Sequence, residues 1–361
     1  AVWRTGLEAG KGAAEYDYAL SRQRSVVSGV AQVVATDRKV VRLEPEGTSA
    51  AAFAAVKFRV AGPLVAEPGL RWERAGPVGG ATLTPRLNAA LALGATVIRA
   101  AWGNYAQRQG LHELSVADGE RVFGRVERAE HRVVGLERAI GPRAALRVEA
   151  YQRLTSRVRP RWENIDNAYD LFPEAQSDRL RVAPAEARAE GLEFLLSSRG
   201  DGALQWNVSH AVARTEERVG GRWVPRRRDQ RHAFYADATY AWNPRWQFSA
   251  AWHYHTGWPT TDVVYSLATL ANNRRVLVSA NGEPYGLRLP DYHRLDLRVT
   301  RRFPTTRGEV RAYLDLFNVY DRLNLLGYDH QVNVSGGAVT SRRKPREQLP
   351  FLPSVGLSWE L

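Results

Sequence analysis

Val355-Gly356-Leu357-Ser358-Trp359-Glu360-Leu361 alternates without a break, with Val, Leu, Trp and Leu on one side and Gly, Ser and Glu on the other. Side chains of an extended backbone point to opposite faces in turn, so this period of two describes a strand with one apolar and one polar face. Moving inward from this end, the same period returns. Leu295, Leu297 and Val299 alternate with Arg294, Asp296, Arg298 and Thr300, and Val310, Ala312, Leu314 and Leu316 with Arg311, Tyr313 and Asp315. Trp246, Phe248, Ala250, Trp252 and Tyr254 stand against Gln247, Ser249, His253 and His255, and Leu204, Trp206 and Val208 against Gln205, Asn207 and Ser209.

Seven short links read as hairpin turns, at Gly10 to Gly12, Gly62-Pro63, Gly94, Gly141-Pro142, Gly200 to Gly202, Asn243-Pro244 and Pro304 to Gly308. Longer polar or Pro/Gly-rich segments separate them, roughly 21 to 50, 74 to 83, 105 to 128, 156 to 186, 215 to 229, 257 to 289 and 320 to 349. Short and long links therefore alternate. An antiparallel outer-membrane barrel sorts its links in this way, with short turns on the periplasmic side and long loops outside; a sandwich or propeller has no reason to. Seven hairpins and the terminal run 350 to 361 give about fifteen strands, the stretch Ala51 to Val60 being the weakest. Because single-chain barrels close with an even number and the first link reads as a short one, at least one strand is expected to be missing. The fold expected is all-β: an incomplete antiparallel transmembrane β-barrel.

Composition agrees. Mean hydropathy is −0.40, and no apolar run approaches the about 18 residues of a membrane helix, a test that barrel strands escape because only alternate residues need be apolar. Cysteine is absent, which removes disulfide frameworks and thiolate metal sites. Net charge is +13, and 47 of the 51 basic residues are Arg, Lys being confined to positions 11, 39, 57 and 344. These charges are spread along the chain, with only Arg226-Arg227-Arg228 as a cluster, so nucleic acid is not expected as a partner. Ala1-Val2-Trp3-Arg4-Thr5-Gly6-Leu7-Glu8 shows no initiator Met, basic head or signal stretch and already alternates; the chain is expected to be cut from something longer.

Several stretches resemble, in order, the barrels of TonB-dependent receptors. They are Thr84-Pro85-Arg86-Leu87-Asn88 followed by Ile98-Arg99-Ala100-Ala101-Trp102-Gly103-Asn104-Tyr105, then Leu146-Arg147-Val148-Glu149-Ala150-Tyr151, Ala189-Glu190-Gly191-Leu192-Glu193, and Val224-Pro225-Arg226 with Asp229-Gln230-Arg231-His232. Thr256-Gly257-Trp258-Pro259, Tyr292-His293-Arg294-Leu295-Asp296-Leu297-Arg298 and Leu314-Asp315-Leu316-Phe317-Asn318-Val319-Tyr320-Asp321 complete the series. The family usually ends in an aromatic where this chain has Leu361. The resemblance implies a transporter of a scarce small solute in the bacterial outer membrane. Residues 1–361 would be the C-terminal part of a 22-stranded barrel, its plug and first strands lying upstream. It implies TonB as energy-coupling partner through that plug, the lipid bilayer and lipopolysaccharide as surroundings, and a barrel-assembly machinery that reads the terminal strand Leu357, Trp359 and Leu361. No cofactor, metal or catalytic residue is implied.

Candidate site residues follow from position. Arg294, Asp296, Arg298, Arg311 and Asp315 fall on the polar, lumen-facing side, where opposite charges on facing strands pair. Loops 156 to 186 and 257 to 289 carry Trp162, Tyr169, Phe172, Trp258, Tyr265 and Tyr285, the candidates for substrate contact, because recognition varies in loops without disturbing the wall. Trp242 and Trp246 bracket a turn, and Trp223, Trp252 and Trp258 sit near strand ends, as interfacial girdles do. His253 and His255 share a face but lack a nearby third ligand for a closed zinc site. The run Pro225 to Arg231 reads either as a phosphate grip, for lipopolysaccharide, or as a loop-to-strand entry. No nucleophile elbow, phosphate loop or HExxH is present, and Glu216-Glu217 reads as an ordinary pair of loop carboxylates. Two rivals remain: a plug-less porin or structural barrel, separated by upstream sequence, and a soluble all-β carbohydrate-binding protein or enzyme, which would stay monodisperse without detergent.

Overall fold

The computed structural model describes residues 1–28, 31–77, 79–166, 171–176 and 178–360. Fourteen strands form one antiparallel sheet, each paired with its neighbours in chain order. They are β1 (Val2–Ala13), β2 (Glu46–Ala61), β3 (Leu64–Ala75), β4 (Ala81–Leu93), β5 (Thr96–Gln107), β6 (Glu127–Ile140) and β7 (Ala144–Ser156). The series continues with β8 (Glu186–Ser198), β9 (Leu204–Val219), β10 (His232–Asn243), β11 (Trp246–His255), β12 (Tyr292–Thr305), β13 (Gly308–Phe317) and β14 (Leu352–Glu360). A short strand, Arg222–Pro225, adds to β9 alone. No ladder joins β1 to β14 among the described residues.

Links of 62–63, 94–95, 141–143, 199–203, 244–245 and 306–307 gather at one end of the sheet. The links 14–45, 76–80, 108–126, 157–185, 220–231, 256–291 and 318–351 gather at the other. Four of these seven contain hairpins of their own, such as Tyr16–Ser28 with Ala31–Leu43 and Leu325–Ser335 with Ala338–Glu347. Six of the seven expected turns are found. Gly62, Gly94 and Gly141 sit at positive φ, the region that tight hairpin turns require and that glycine enters without steric cost.

The expected turn at Gly10 to Gly12 is not a turn. Gly10 and Gly12 lie inside β1, opposite Ser49 and Gly47, and the chain crosses to β2 through the long link 14–45. The expectation of a first strand descending into a short link is corrected accordingly: β1 ends in a long loop. Counting the short strand Arg222–Pro225 the sheet has fifteen strands, fourteen of them on its path, in keeping with the about fifteen expected. The weak stretch Ala51 to Val60 is strand all the same, in β2. Its small side chains accompany close packing: Gly6 lies under the Phe53 ring, where a Cβ would come within 2.3 Å of Cε1.

Register fixes the two faces. Directly opposed residues share a face, so Leu297 with Leu316, Val299 with Leu314 and Leu314 with Val355 form one apolar surface. Arg298 with Asp315 and Arg311 with Ser358 form the polar one. The apolar surface is open: Leu357 is 76% exposed and Trp359 61%. A protein that buried its core between two sheets would cover such residues; here the fold leaves them for another apolar medium.

Candidate functional site

The polar face carries ion pairs that run both along and across strands. Arg294 Nη2 is 2.8 Å from Asp296, Arg298 clasps Asp315 with both Nε and Nη2, and Arg311 reaches Glu309 at 2.6 Å and Glu360 at 2.8 Å. Asp296, Arg298, Arg311 and Asp315 line a cleft of about 750 Å3 together with Asp237 and Tyr313. Arg294 stands beyond it, its guanidinium 3.9 Å from the centre of the Phe317 ring. Four of the five charged residues picked from the sequence thus border one cleft, and all five belong to ion pairs.

Toward the long-link end of the same face lies a second cleft, of about 510 Å3. Its walls are aromatic because β10, β11 and β12 present Tyr235, His253, His255 and Tyr292 in adjacent register positions. The His253 ring meets Tyr235 edge-on at 4.6 Å. His255 lies between two rings, nearly parallel to Tyr292 at 4.7 Å and to Trp258 at 5.1 Å. Arg147, Glu149, Glu193 and Gln230 supply the polar part of the lining. Flat apolar walls with a few charged groups can stack on a planar solute and orient it. The sequence had shown only two histidines on one face.

Above this cleft a buried ionic cluster locks three loops together. Glu217, wholly buried, accepts both arms of Arg161 at 2.9 and 2.6 Å, with Arg226 Nε at 3.6 Å. Arg161 also binds Glu163 at 2.5 Å, and Glu163 accepts the Tyr285 hydroxyl at 2.5 Å. Asp229, equally buried, accepts the Thr215 amide at 2.5 Å and the guanidinium groups of Arg231 and Arg288. Burial pushes the Tyr285 phenol up, and the neighbouring Glu163 charge adds to that. Burial alone would also raise Glu163, but the Arg161 guanidinium and the Tyr285 hydroxyl outweigh it and hold the carboxyl below its usual range. Glu216 and Glu217, read from the sequence as loop carboxylates, lie instead within β9 and face opposite ways. Glu216 pairs with Arg188 at 2.7 Å and Arg231 at 2.9 Å, while Glu217 turns into the cluster.

Beside Tyr285 is a pocket of about 300 Å3 walled by Ile165, Leu180, Val182, Val219, Val224 and Pro284. Of the loop aromatics, Trp258 and Tyr285 are brought to a common small cavity of about 30 Å3 with Asn164 and Arg228. The Arg228 guanidinium lies 5.8 Å from the Trp258 ring centre. Trp162 donates its indole N–H to Glu120 at 3.2 Å, Tyr265 packs on His330 at 5.5 Å, and Phe172 is exposed. None of these three borders the cavity. Tyr169 and Leu361 lie outside the described residues. Within the run Pro225 to Arg231, Arg226 and Arg231 are held by Glu217, Glu216 and Asp229, the geometry of a loop entering a strand.

Sorted links, one open apolar face and one ion-paired face define the wall of an antiparallel membrane-type β-barrel. The chain belongs to the family described as TonB dependent receptor-like, beta-barrel, whose model matches residues 3–319. No curated protein sequence matches it. Among solved structures it is similar to the ferric enterobactin receptor PfeA of Pseudomonas aeruginosa, with a TM-score of 0.54 and 14% identity, covering 79% of this chain and 41% of that one. The siderophore receptor PiuA of Acinetobacter baumannii gives a TM-score of 0.54 at 13% identity, with coverage of 89% and 44%. The outer membrane transporter YddB of Escherichia coli gives 0.58 at 12% identity, with 99% and 51%. These likenesses show the fold, and the chain spans about half the length of these structures or less.

Proposed function

We propose that the chain is the C-terminal wall of an outer-membrane uptake receptor, whose plug and earlier strands lie outside residues 1–361. The observation that carries this reading is the meeting of the aromatic cleft of Tyr235, His253, His255 and Tyr292 with loops locked by the Arg161–Glu217 cluster. Such a receptor takes its solute from the loops to the inner face and passes it through the barrel once the plug yields. TonB would act on that plug, and the assembly machinery would read the terminal strand with Leu357, Trp359 and Leu361. Trp162, Tyr169, Phe172, Trp258, Tyr265 and Tyr285 remain the proposed outer contacts. Ferric enterobactin and siderophore receptors among the similar structures make a ferric chelate the first solute class to offer.

The test is uptake of iron-loaded chelates by cells expressing the full-length protein, with and without TonB, under iron limitation. Accumulation that requires both supports the proposal. Uptake that is equal without TonB, or a full-length protein that stays monodisperse without detergent, refutes it.

A further inference from the structure

Four of the long links meet at the small cavity of about 30 Å3 beside Tyr285. Asn164 comes from link 157–185, Arg228 from 220–231, Trp258 and Tyr285 from 256–291, and Leu326 from 318–351. A space of that size takes one or two water-sized groups and nothing larger.

The polar groups around it are unevenly satisfied. Asn164 is spent: its amide nitrogen donates to the Pro173 carbonyl and to Asp178, both at 2.9 Å, and its oxygen accepts from Arg179 at 2.8 Å. Tyr285 is spent too, its hydroxyl on Glu163 and its backbone N–H on the Thr261 hydroxyl at 3.1 Å. Trp258 is not. Its Nε1–H is shielded from solvent and has no acceptor among the described residues. An indole nitrogen can only donate, and a buried donor left unpaired is unfavourable.

Charge points the same way. The adjoining network sets five guanidinium groups, those of Arg161, Arg188, Arg226, Arg231 and Arg288, against four carboxylates, those of Glu163, Glu216, Glu217 and Asp229. Arg228 adds a further cation at the cavity wall, 5.8 Å from the centre of the Trp258 ring, and no carboxylate among the described residues pairs with it. The carboxylate on the wall, Asp166, is engaged by the His330 imidazole at 3.6 Å, and burial pushes its pKa up, toward the uncharged form. Surplus positive charge and an unpaired N–H donor at one small cavity suit a compact anion.

We propose that this cavity binds a single monatomic anion such as chloride, held by Trp258 Nε1–H and the Arg228 guanidinium. Because the walls come from four links, the anion draws the loops of one barrel end together, whichever solute the barrel carries. The test follows hydrogen exchange of segments 161–164 and 256–291 in the full-length protein in non-ionic detergent. Sodium chloride is compared with sodium gluconate at equal ionic strength. For a site of about 30 mM affinity, exchange should be about tenfold slower in about 0.3 M chloride. Sulfate, too large for the space, should not replace chloride. R228Q and W258F, the second keeping a ring without its N–H, should lose the chloride response. Rates in the two salts are compared within each variant, so a substitution that merely loosens the loops raises both and leaves their ratio unchanged. Crystals soaked in bromide should show an anomalous peak between Trp258 and Arg228. Equal exchange in chloride and gluconate, a response kept by R228Q and W258F, an equal response to sulfate, or no bromide peak overturns the site.

Discussion

Arg161 is the joint on which the loop cluster depends, and Arg161→Met keeps its apolar stem while removing its fork. Glu217 is then left buried with Arg226 at 3.6 Å as its remaining cation, and Glu163 keeps only the Tyr285 hydroxyl at 2.5 Å. Removing one partner of a buried ion pair costs about 3 to 5 kcal/mol. Arg161 is partly open to water and Arg226 offers partial compensation, so the lower end applies, about 3 kcal/mol. At about 1.4 kcal/mol per decade the opening of segments 161–164 and 179–182 becomes over a hundredfold more frequent, or reaches the unprotected limit. Hydrogen exchange of peptides covering these segments, followed by mass spectrometry, reads this directly, with residues 190–215 of the wall as the unchanged reference. In a Glu163→Gln/Glu217→Gln background the further cost of Arg161→Met should fall below about 1 kcal/mol, because both charges it leaves behind are gone. Exchange in both segments within about twofold of wild type would refute the claim that this ion pair holds the loop.

Gly257→Ala would place a Cβ 1.5 Å from the Leu289 carbonyl oxygen, a backbone atom, so the amide of Leu289 must leave the Trp258 carbonyl it binds at 2.9 Å. Limited proteolysis should then cut within 256–291 while the folded barrel keeps its compact, heat-modifiable migration in electrophoresis. Gly356→Ala collides with the Tyr313 ring at 2.2 Å and should lower the yield of folded barrel, and Tyr313→Ala in the same chain should restore part of it. Because the folded Glu163 value lies below the ordinary carboxylate range, its contribution to loop protection is fully present above about pH 5. That contribution is lost as pH falls through the depressed value; Glu163→Gln should flatten the profile, measured by the same exchange experiment after correction for the intrinsic rate.

Period-two patterning carried most of the wall because a strand between water and lipid has no freedom in it: Leu295 and Leu297 cannot trade places with Arg294 and Asp296 without burying charge in hydrocarbon. Glycine was less legible. At Gly62 and Gly94 it marks a turn that needs positive φ, whereas in β1 it serves close packing, and a residue name alone does not separate the two uses. For that reason Gly10 to Gly12 reads as a turn, and the first strand as descending into it, whereas both glycines lie within β1. The loop cluster was hidden for a different cause. Glu217 meets Arg161 across 56 positions of sequence and Tyr285 meets Glu163 across 122, so neither pairing leaves a local pattern. The one available signal was the adjacency of Glu216 and Glu217, which in a strand, unlike a loop, sends two carboxylates to opposite faces.

The preference for Arg over Lys follows from the same geometry. On the polar face Arg298 grips both oxygens of Asp315 and Arg311 both oxygens of Glu360, and in the cluster Arg161 does the same to Glu217. A planar fork with fixed donors fills such a carboxylate from one neighbouring strand, whereas an ammonium on a flexible stem delivers a single contact and gives up more rotamer freedom for it. A wall of strands about 4.8 Å apart presents that task repeatedly, between rigid partners whose spacing the register sets. Replacing Arg298 or Arg311 by Lys would conserve the charge and lose the second bond. Cross-strand pairs of this kind are one use to which the chain puts its 47 Arg among 51 basic residues.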